Sequence, residues 1–251
     1  MRIARAFVAT LILAAPGAAA RAADEFTDRF DLEACTFSDA GENRYFSLEP
    51  GHRIVLEGEE DGETVRVEIT VSGARQRIAF TGLDGERRNV RARVVEEREF
   101  VDDEIVEVSR NFFARCAETN DIYYFGEDVD IYEDGHVVSH DGAWRAGVDG
   151  AQPGLIMPGT FLLGSRYFQE VAPDVALDRA EHVAMGLTVQ APAGTFEECV
   201  EIEETSPLDA GASSVKIYCP EVGLVDDNGA RLVEADDAEA RPVRPRHGGP
   251  R

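Results

Sequence analysis

Acidic side chains crowd one stretch in the middle of the chain. They are Glu127, Asp128, Asp130, Glu133, Asp134, Asp141 and Asp149. Hard cations such as Ca²⁺ bind about six to eight oxygen ligands, which carboxylates and loop carbonyls supply. We therefore take Glu127, Asp128 and Asp130 as candidate metal ligands. The stretch lacks the glycine and the terminal acid of an EF-hand loop, and a solvated acidic rim is the alternative interpretation.

Two histidines have a spacing that binds zinc when it occurs on a helix. His136 and His140 are four residues apart, but Val137-Val138-Ser139 between them favours a strand. Four residues of strand span about 13 Å, which is too far for one ion to contact both rings. We therefore predict no cofactor, and Ca²⁺ at the acidic stretch is the ion that the sequence favours if a metal binds.

The sequence lacks the signatures of common enzyme classes. It contains no Gly-x-Ser-x-Gly elbow, phosphate-binding loop, dinucleotide fingerprint or His-Glu-x-x-His motif. Because catalytic triads assemble from distant positions, a hydrolase using His136 or His182 with Ser139 or Ser165 is the alternative class. We predict no catalytic residue.

Four cysteines indicate two disulfides if the protein works outside the cytoplasm. A turn-rich segment lies midway between Cys199 and Cys219, and it predicts a hairpin centred on Asp209 with the two cysteines opposite each other. Cys35 then pairs with Cys116 by elimination. Close Cys-x-x-Cys pairs are absent, which disfavours zinc ligation by these thiols.

The elements that position these residues are predicted to be strands. Thr64 to Val71 alternates apolar and polar residues with period two, as a strand with one wet face does. Turn dipeptides such as Asp134-Gly135 and Asn228-Gly229 separate similar segments. The predicted strands lie at about 53–56, 64–71, 75–80, 89–95, 104–113, 121–125 and 182–189 and in the hairpin 199–219. We predict an all-β single domain built on a curved antiparallel sheet, as a meander, a sandwich or an open barrel.

A curved sheet has a concave face on which a ligand can bind. The aromatic residues that we expect to line this face are Phe112, Tyr123, Phe125, Trp144 and Phe161. Glycines and prolines between Gly142 and Pro158 predict a long loop over one end of the cavity. Such a loop is either a functional rim or a structural cover, and Trp144 is alternatively a core residue. The predicted ligand is a small apolar molecule or an envelope partner.

Four phrases of the sequence are distinctive. They span Tyr45–Gly51, Tyr124–Val129, Trp144–Pro158 and Val189–Phe196. With them the chain resembles a group of secreted bacterial proteins of unknown function, over roughly residues 43–226. The resemblance implies kinship and an envelope setting and carries no activity over. The four cysteines lie outside these phrases.

The first 22 residues have the pattern of a secretory signal peptide. Arg2 and Arg5 precede an apolar run from Ala6 to Ala15, and Ala20-Arg21-Ala22 resembles a cleavage site. We therefore expect a periplasmic or secreted protein, cleaved near Ala22. Neither this run nor any later one is long enough to span a bilayer.

The mature chain is predicted to contain one β-rich domain over 23–234 and a disordered tail over 235–251. The tail is rich in arginine and proline and has almost nothing to bury. Residues 23–32 are predicted to form either a short helix or an irregular lead-in.

The net charge of the chain restricts the kinds of partner that it can bind. The chain has 49 acidic and 25 basic residues, with a net charge of −24. Nucleic acid and anionic membranes would be repelled at long range. A small ligand, a cation or an envelope protein is left as the expected partner.

Overall fold

Short polar turns divide the chain into strands in this computed structural model, which describes residues 25–60 and 62–236. Asp134-Gly135 and Asn228-Gly229 both have positive φ at the two residues, as the tight turns of β-hairpins require. Asp102-Asp103 makes a third turn of this kind without a glycine. The described residues form strands and no helix, which confirms the all-β prediction.

Fifteen strands follow one another along the described chain. The first eight are β1 Phe37–Ser38, β2 Arg53–Glu60, β3 Glu63–Thr81, β4 Arg87–Val101, β5 Glu104–Cys116, β6 Ile122–Glu133, β7 His136–Ser139 and β8 Trp144–Arg145. The remaining seven are β9 Gly154–Met157, β10 Arg166–Phe168, β11 Arg179–Ala191, β12 Gly194–Ser206, β13 Asp209–Cys219, β14 Gly223–Asp227 and β15 Ala230–Asp236.

All strands belong to one open antiparallel sheet. Its order is β10-β11-β12-β13-β14-β15-β2-β3-β4-β5-β6-β7, so the pairing of β15 with β2 joins the two halves of the chain. The short strands β8 and β9 both pair with β6. The isolated bridge between Gln152 and Val171 brings the region around β9 close to the opposite end of the sheet. The sheet is therefore strongly curled and its two ends approach each other.

Strand β3 joins two segments that the sequence predicts as separate strands. The register with β4 shifts between Val71 and Arg75, so Ser72, Gly73 and Ala74 form a bulge. A bulge bends a strand without ending it and reverses which residues face inward. Val67 and Val71 are buried before the bulge, and Ile78 and Phe80 are buried after it.

The segment from Gly142 to Pro158 is docked along β6. Gly126 has a positive φ, and a β-carbon there would overlap the backbone of Trp144. Gly154 similarly lies too close to the carbonyl oxygen of Gln169 to accommodate a side chain. The glycines of this region therefore permit close backbone approach as well as unusual turns.

Two disulfides have the predicted pairing. Cys199 is bonded to Cys219, and Cys35 is bonded to Cys116. Val200 pairs with Tyr218, which places the first two cysteines directly opposite each other. The hairpin tip differs from the prediction, because the register shifts after Thr205 and Ser206 pairs with Asp209. The tip therefore lies at Pro207-Leu208 rather than at Asp209.

The described chain begins with an irregular segment and ends in β15. The lead-in is irregular from residue 25, with Thr27 bridged to Tyr167. Residues 235 and 236 belong to β15. The predicted signal peptide and the rest of the predicted tail lie outside the described residues. The described part of the chain has no helix of the length and apolar character needed to cross a membrane.

Candidate functional site

A cavity of about 310 Å³ lies inside the curled sheet. Side chains from β2, β3, β4, β5, β6, β9, β12 and β13 line it, together with the loop between β10 and β11. Pockets that hold small molecules have volumes of about 300–1,000 Å³. We call this space the acidic cavity, for its carboxylates Glu97, Glu99, Glu107, Glu127, Glu170, Asp178 and Glu204.

The wall of the acidic cavity changes character along β4 and β5. At one end Val95 on β4 and Phe113 on β5 line the cavity. Further along β4, Glu97 and Glu99 continue the face of Val95, because alternate residues of a strand point the same way. On β5, Glu107 lies directly opposite Glu99. The wall therefore runs from an apolar end to an acidic end.

The loop between β10 and β11 supplies the opposite wall. The backbone N–H groups of Gln169 and Glu170 both donate to the carbonyl of Asp178, at 2.7 and 3.1 Å. Gln169 Nε2 donates to Glu204 Oε1 at 2.7 Å, and Trp144 Nε1 donates to Glu170 Oε1 at 3.1 Å. These bonds hold the polar groups of this wall in place.

Lys216 is the only lysine or arginine among the described residues that line the acidic cavity. Its Nζ lies 3.2 Å from Glu204 Oε2 and 3.7 Å from Asp227 Oδ2. One ammonium group therefore faces seven carboxyl groups among the described residues of the cavity.

Burial in this setting favours protonated carboxyl groups. Desolvation raises the pKa of Glu97 to about 8. Desolvation, together with the charge of Glu170, raises the pKa of Glu127 to about 9. The pKa values of Glu107 and Glu170 rise to about 7 for the same main reason. All four carboxyl groups line the cavity and are otherwise surrounded by protein, which disfavours their charged form.

One buried polar atom in the wall lacks a hydrogen-bond partner. The Oε1 atom of Gln169 is fully buried and unpaired among the described residues, in a side chain that is 2% exposed. Tyr218, which is 5% exposed, and Tyr124 line the same cavity. The Tyr124 hydroxyl donates to Asn111 Oδ1.

The five predicted aromatic residues are buried, and none lines the acidic cavity. Phe125 packs edge-on against Phe37, and Tyr123 packs against Phe30 and Phe37. Arg145 covers the ring of Phe112. The neighbours Phe113 and Tyr124 point into the cavity instead, because successive residues of β5 and β6 face opposite sides.

The other two aromatic residues belong to the structure that supports the cavity. Trp144 holds Glu170 through its indole N–H. Phe161 stacks on the ring of His182, with centroids 3.8 Å apart. The structure therefore places the five side chains in the packed core and not on the wall of the acidic cavity.

The three predicted metal ligands do not share one site. Glu127 lines the acidic cavity. Asp128 forms an ion pair with Arg145 at 2.5 Å, and Asp130 contacts Arg110 at 3.0 Å. The bulge at Gly126 places Glu127 on the cavity face, and alternation places Asp128 on the other.

In the described residues, one group of three potential metal-ligating side chains has its donor atoms within 4.8 Å of one another. It consists of Cys35, Cys116 and Glu118, and its two sulfur atoms are already bonded to each other. The carboxylates of the acidic cavity are spread along its wall instead of converging on one point.

The two histidines considered for a hydrolase lie in different settings, and His182 has other partners. His182 Nε2 lies 2.8 Å from the Tyr167 hydroxyl, and Nδ1 lies 3.0 Å from the Leu162 carbonyl. Burial lowers the pKa of His182 to about 4. His136 is exposed on β7. Within the described chain, neither Ser139 nor Ser165 forms a side-chain hydrogen bond with these rings.

Sequence reasoning missed the carboxylates of β4, β5 and β12. One signal was present, because Glu97 and Glu99 occupy the positions that continue the apolar alternation from Val95. A charged residue at a core-facing position needs a partner or a wet cavity. That pattern identifies the strand face but not the side chains across the cavity.

The fold and the cavity define a class: all-β proteins that curl one antiparallel sheet around an internal acidic cavity. Comparison with known proteins found no matching family model, no matching curated protein and no matching solved structure.

Proposed function

We propose that this chain is a secreted or periplasmic, non-catalytic binding protein that holds a small ligand in the acidic cavity. The observation that carries the proposal is the cavity of about 310 Å³, whose wall runs from apolar to acidic residues. A concave pocket lined by both apolar and polar side chains is typical of ligand sites. The apolar surface supplies affinity, and the polar groups fix the orientation of the ligand.

The proposed compartment has separate support. Two disulfides are compatible with an extracellular or periplasmic location. The first 22 residues have the composition of a signal peptide, and the resemblance to secreted bacterial proteins agrees with it. The absence of catalytic motifs from the sequence favours binding over catalysis.

A neutral fluorescent probe tests access to the cavity. We expect N-phenyl-1-naphthylamine, which is uncharged at neutral pH, to gain fluorescence when it is added to the mature protein. Ser109→Trp should abolish the gain, because Ser109 lines the cavity and tryptophan would occupy it. Val71→Phe is a second, smaller filling change at another lining position.

Val138→Trp is the matched control, because Val138 is an exposed residue on β7. Circular dichroism establishes that each variant is folded. Equal fluorescence from wild type and both folded filling variants would contradict a ligand site in the acidic cavity.

A further inference from the structure

We propose that the ligand of the acidic cavity is an organic amine: a protonated ammonium group attached to an apolar body. This inference rests on the proposed function and deepens it by naming the ligand class. Carboxyl groups without an ion pair, one unpartnered buried oxygen in the wall and the order of side chains along β4 and β5 support it.

At the acidic end of the cavity, the charge of Lys216 acts on Glu97 and Glu99, but Lys216 forms its close ion pairs with Glu204 and Asp227. Among the described residues, Glu97, Glu99 and Glu107 form no ion pair, although arginines neutralise many acids on the outside of the same sheet. Glu99 and Glu107 stand directly opposite each other on β4 and β5. Like charges at such positions destabilise a sheet. A positive ligand group between them would remove that repulsion.

An unpartnered group of the wall independently indicates a ligand. Gln169 Oε1 is a buried acceptor that has no donor among the described residues. Tyr218 lines the same cavity. A buried polar group without a partner costs free energy, so such groups are normally paired with protein, water or ligand. An ammonium group offers three N–H donors, which suits the Gln169 oxygen and the nearby carboxylates.

Lys216 shows how this cavity holds an ammonium group. Its Nζ lies between Glu204 and Asp227, and Glu204 also accepts the hydrogen bond from Gln169. The same chemistry is available to a second ammonium at Glu97 and Glu99, which form no ion pair within the described chain. Burial raises the pKa of Glu97, and the charge of Lys216 offsets only part of that rise.

The apolar end favours an organic cation over a metal ion. Val71, Val95 and Phe113 line the cavity beside the acids, and they would contact a hydrocarbon body. A metal ion instead needs several oxygens within a few ångströms of one point. In the described chain, the cavity carboxylates do not form a group of three ligands that close together.

Isothermal titration calorimetry with three matched probes tests the inference. Hexylamine, 1-hexanol and hexanoate share an apolar chain and differ in charge. We expect hexylamine to bind the mature protein about tenfold more tightly than 1-hexanol, because its N–H groups make charge-assisted hydrogen bonds. Hexanoate should bind most weakly, since its carboxylate would add one more acid to a cavity that has seven carboxyl groups and, among the described lining residues, one lysine.

Substitutions assign the site. The double variant Glu97→Gln with Glu99→Gln should lose about tenfold in hexylamine affinity, because it keeps the shape of the wall and removes two charges. Glu96→Gln is the matched control, since Glu96 lies on the opposite face of β4 and pairs with Arg98. Each variant is titrated with the neutral dye as well.

The outcomes separate the inference from the proposed function. Equal binding of hexylamine and 1-hexanol, or dye binding without hexylamine binding, would overturn the amine and leave a ligand cavity. Tight Ca²⁺ binding that the double variant abolishes would also overturn it, in favour of a metal. Absence of both dye and hexylamine binding would overturn the inference and the proposed function together.

Discussion

At the scale of single residues, one bulge separates Glu127 from the two acids with which the sequence groups it. The sequence groups it with Asp128 and Asp130, because the three are close along the chain. The bulge at Gly126 and the alternation of β6 turn Glu127 into the acidic cavity and leave Asp128 on the outer side with Arg145. Proximity in sequence therefore did not become proximity in space.

The raised pKa of Glu127 predicts a pH dependence of stability. In the unfolded chain this carboxyl group ionises near its ordinary pKa of 4.5, whereas in the folded protein its pKa is about 9. Between these values the folded state keeps a proton that the unfolded state has lost. The ligand-free protein should therefore lose stability as pH rises through this window, by up to about 1.4 kcal/mol per pH unit for each such group.

Glu127→Gln should flatten this part of the profile, because glutamine does not titrate. Urea unfolding at pH 5.5, 7.0 and 8.5 measures the effect. Glu133→Gln serves as the control, since Glu133 is exposed on the same strand. Profiles of the same slope for wild type and Glu127→Gln would show that this carboxyl group is ionised in the folded protein.

At the scale of elements, the two disulfides stabilise different parts of the sheet. Cys199–Cys219 closes the β12–β13 hairpin, with a sequence separation of 20. Cys35–Cys116 has a separation of 81 and ties the segment before β1 to the end of β5. A disulfide that closes a longer loop restricts the unfolded chain more strongly.

Removing each pair should therefore have graded effects. Cys199→Ser with Cys219→Ser should lower the free energy of unfolding by about 3 kcal/mol, and Cys35→Ser with Cys116→Ser by about 4 kcal/mol. Urea titration with tryptophan fluorescence measures both. A larger loss for the hairpin pair would mean that native packing, rather than loop closure, determines the difference.

The docked segment from Gly142 to Pro158 depends on close backbone contact at Gly154. A β-carbon there would overlap the Gln169 carbonyl, whereas Gly150 has a positive φ and open space around it. We expect Gly154→Ala to cost about 2 kcal/mol or more, because β9 must move away from the cavity wall. Gly150→Ala should cost about 1 kcal/mol, from backbone conformation alone.

Thermal unfolding of the two variants, combined with dye binding, tests this difference. Gly154→Ala should also weaken dye binding, since Gln169 and Glu170 follow the displaced backbone. Equal stability of the two variants would show that the segment shifts freely and does not hold the cavity wall.

At the scale of the whole molecule, charge and curvature act together. The chain carries a net charge of −24, and the curled sheet encloses part of that charge in one cavity. Arginine pairs neutralise much of the outer face, for example Arg53 with Glu68 and Glu234. The negative charge that remains at the surface after this pairing opposes folding through self-repulsion.

Salt should consequently stabilise the ligand-free protein at neutral pH. We expect the midpoint of thermal unfolding to rise when NaCl increases from 10 to 500 mM, because salt screens repulsion between exposed charges. The same titration near pH 4.5, the isoelectric point of the sequence, should give a much smaller rise. An equal rise at both pH values would indicate a general salt effect instead of relief of charge repulsion.

Local patterns in the sequence were sufficient for the long strands, most turns and the disulfide pairing, but not for β1, β8, β9, β10, β14 and β15. Alternation in Thr64–Val71 and the turn signal between Cys199 and Cys219 both act over neighbouring residues, where strand geometry leaves few choices. Bulges were not visible in these patterns, so the continuous β3 and the tip of the β12–β13 hairpin differed from the prediction.

The cavity was decided by tertiary structure alone. Its wall combines Glu97 from β4, Glu170 from a loop and Lys216 from β13, which lie far apart in the chain. No local pattern states that these strands face one another, because that depends on the pairing of β15 with β2 and on the curl of the sheet. The sequence by itself determined the long strands and the local alternation of their faces, whereas the long-range pairing determined which faces surround a space and which charges meet there.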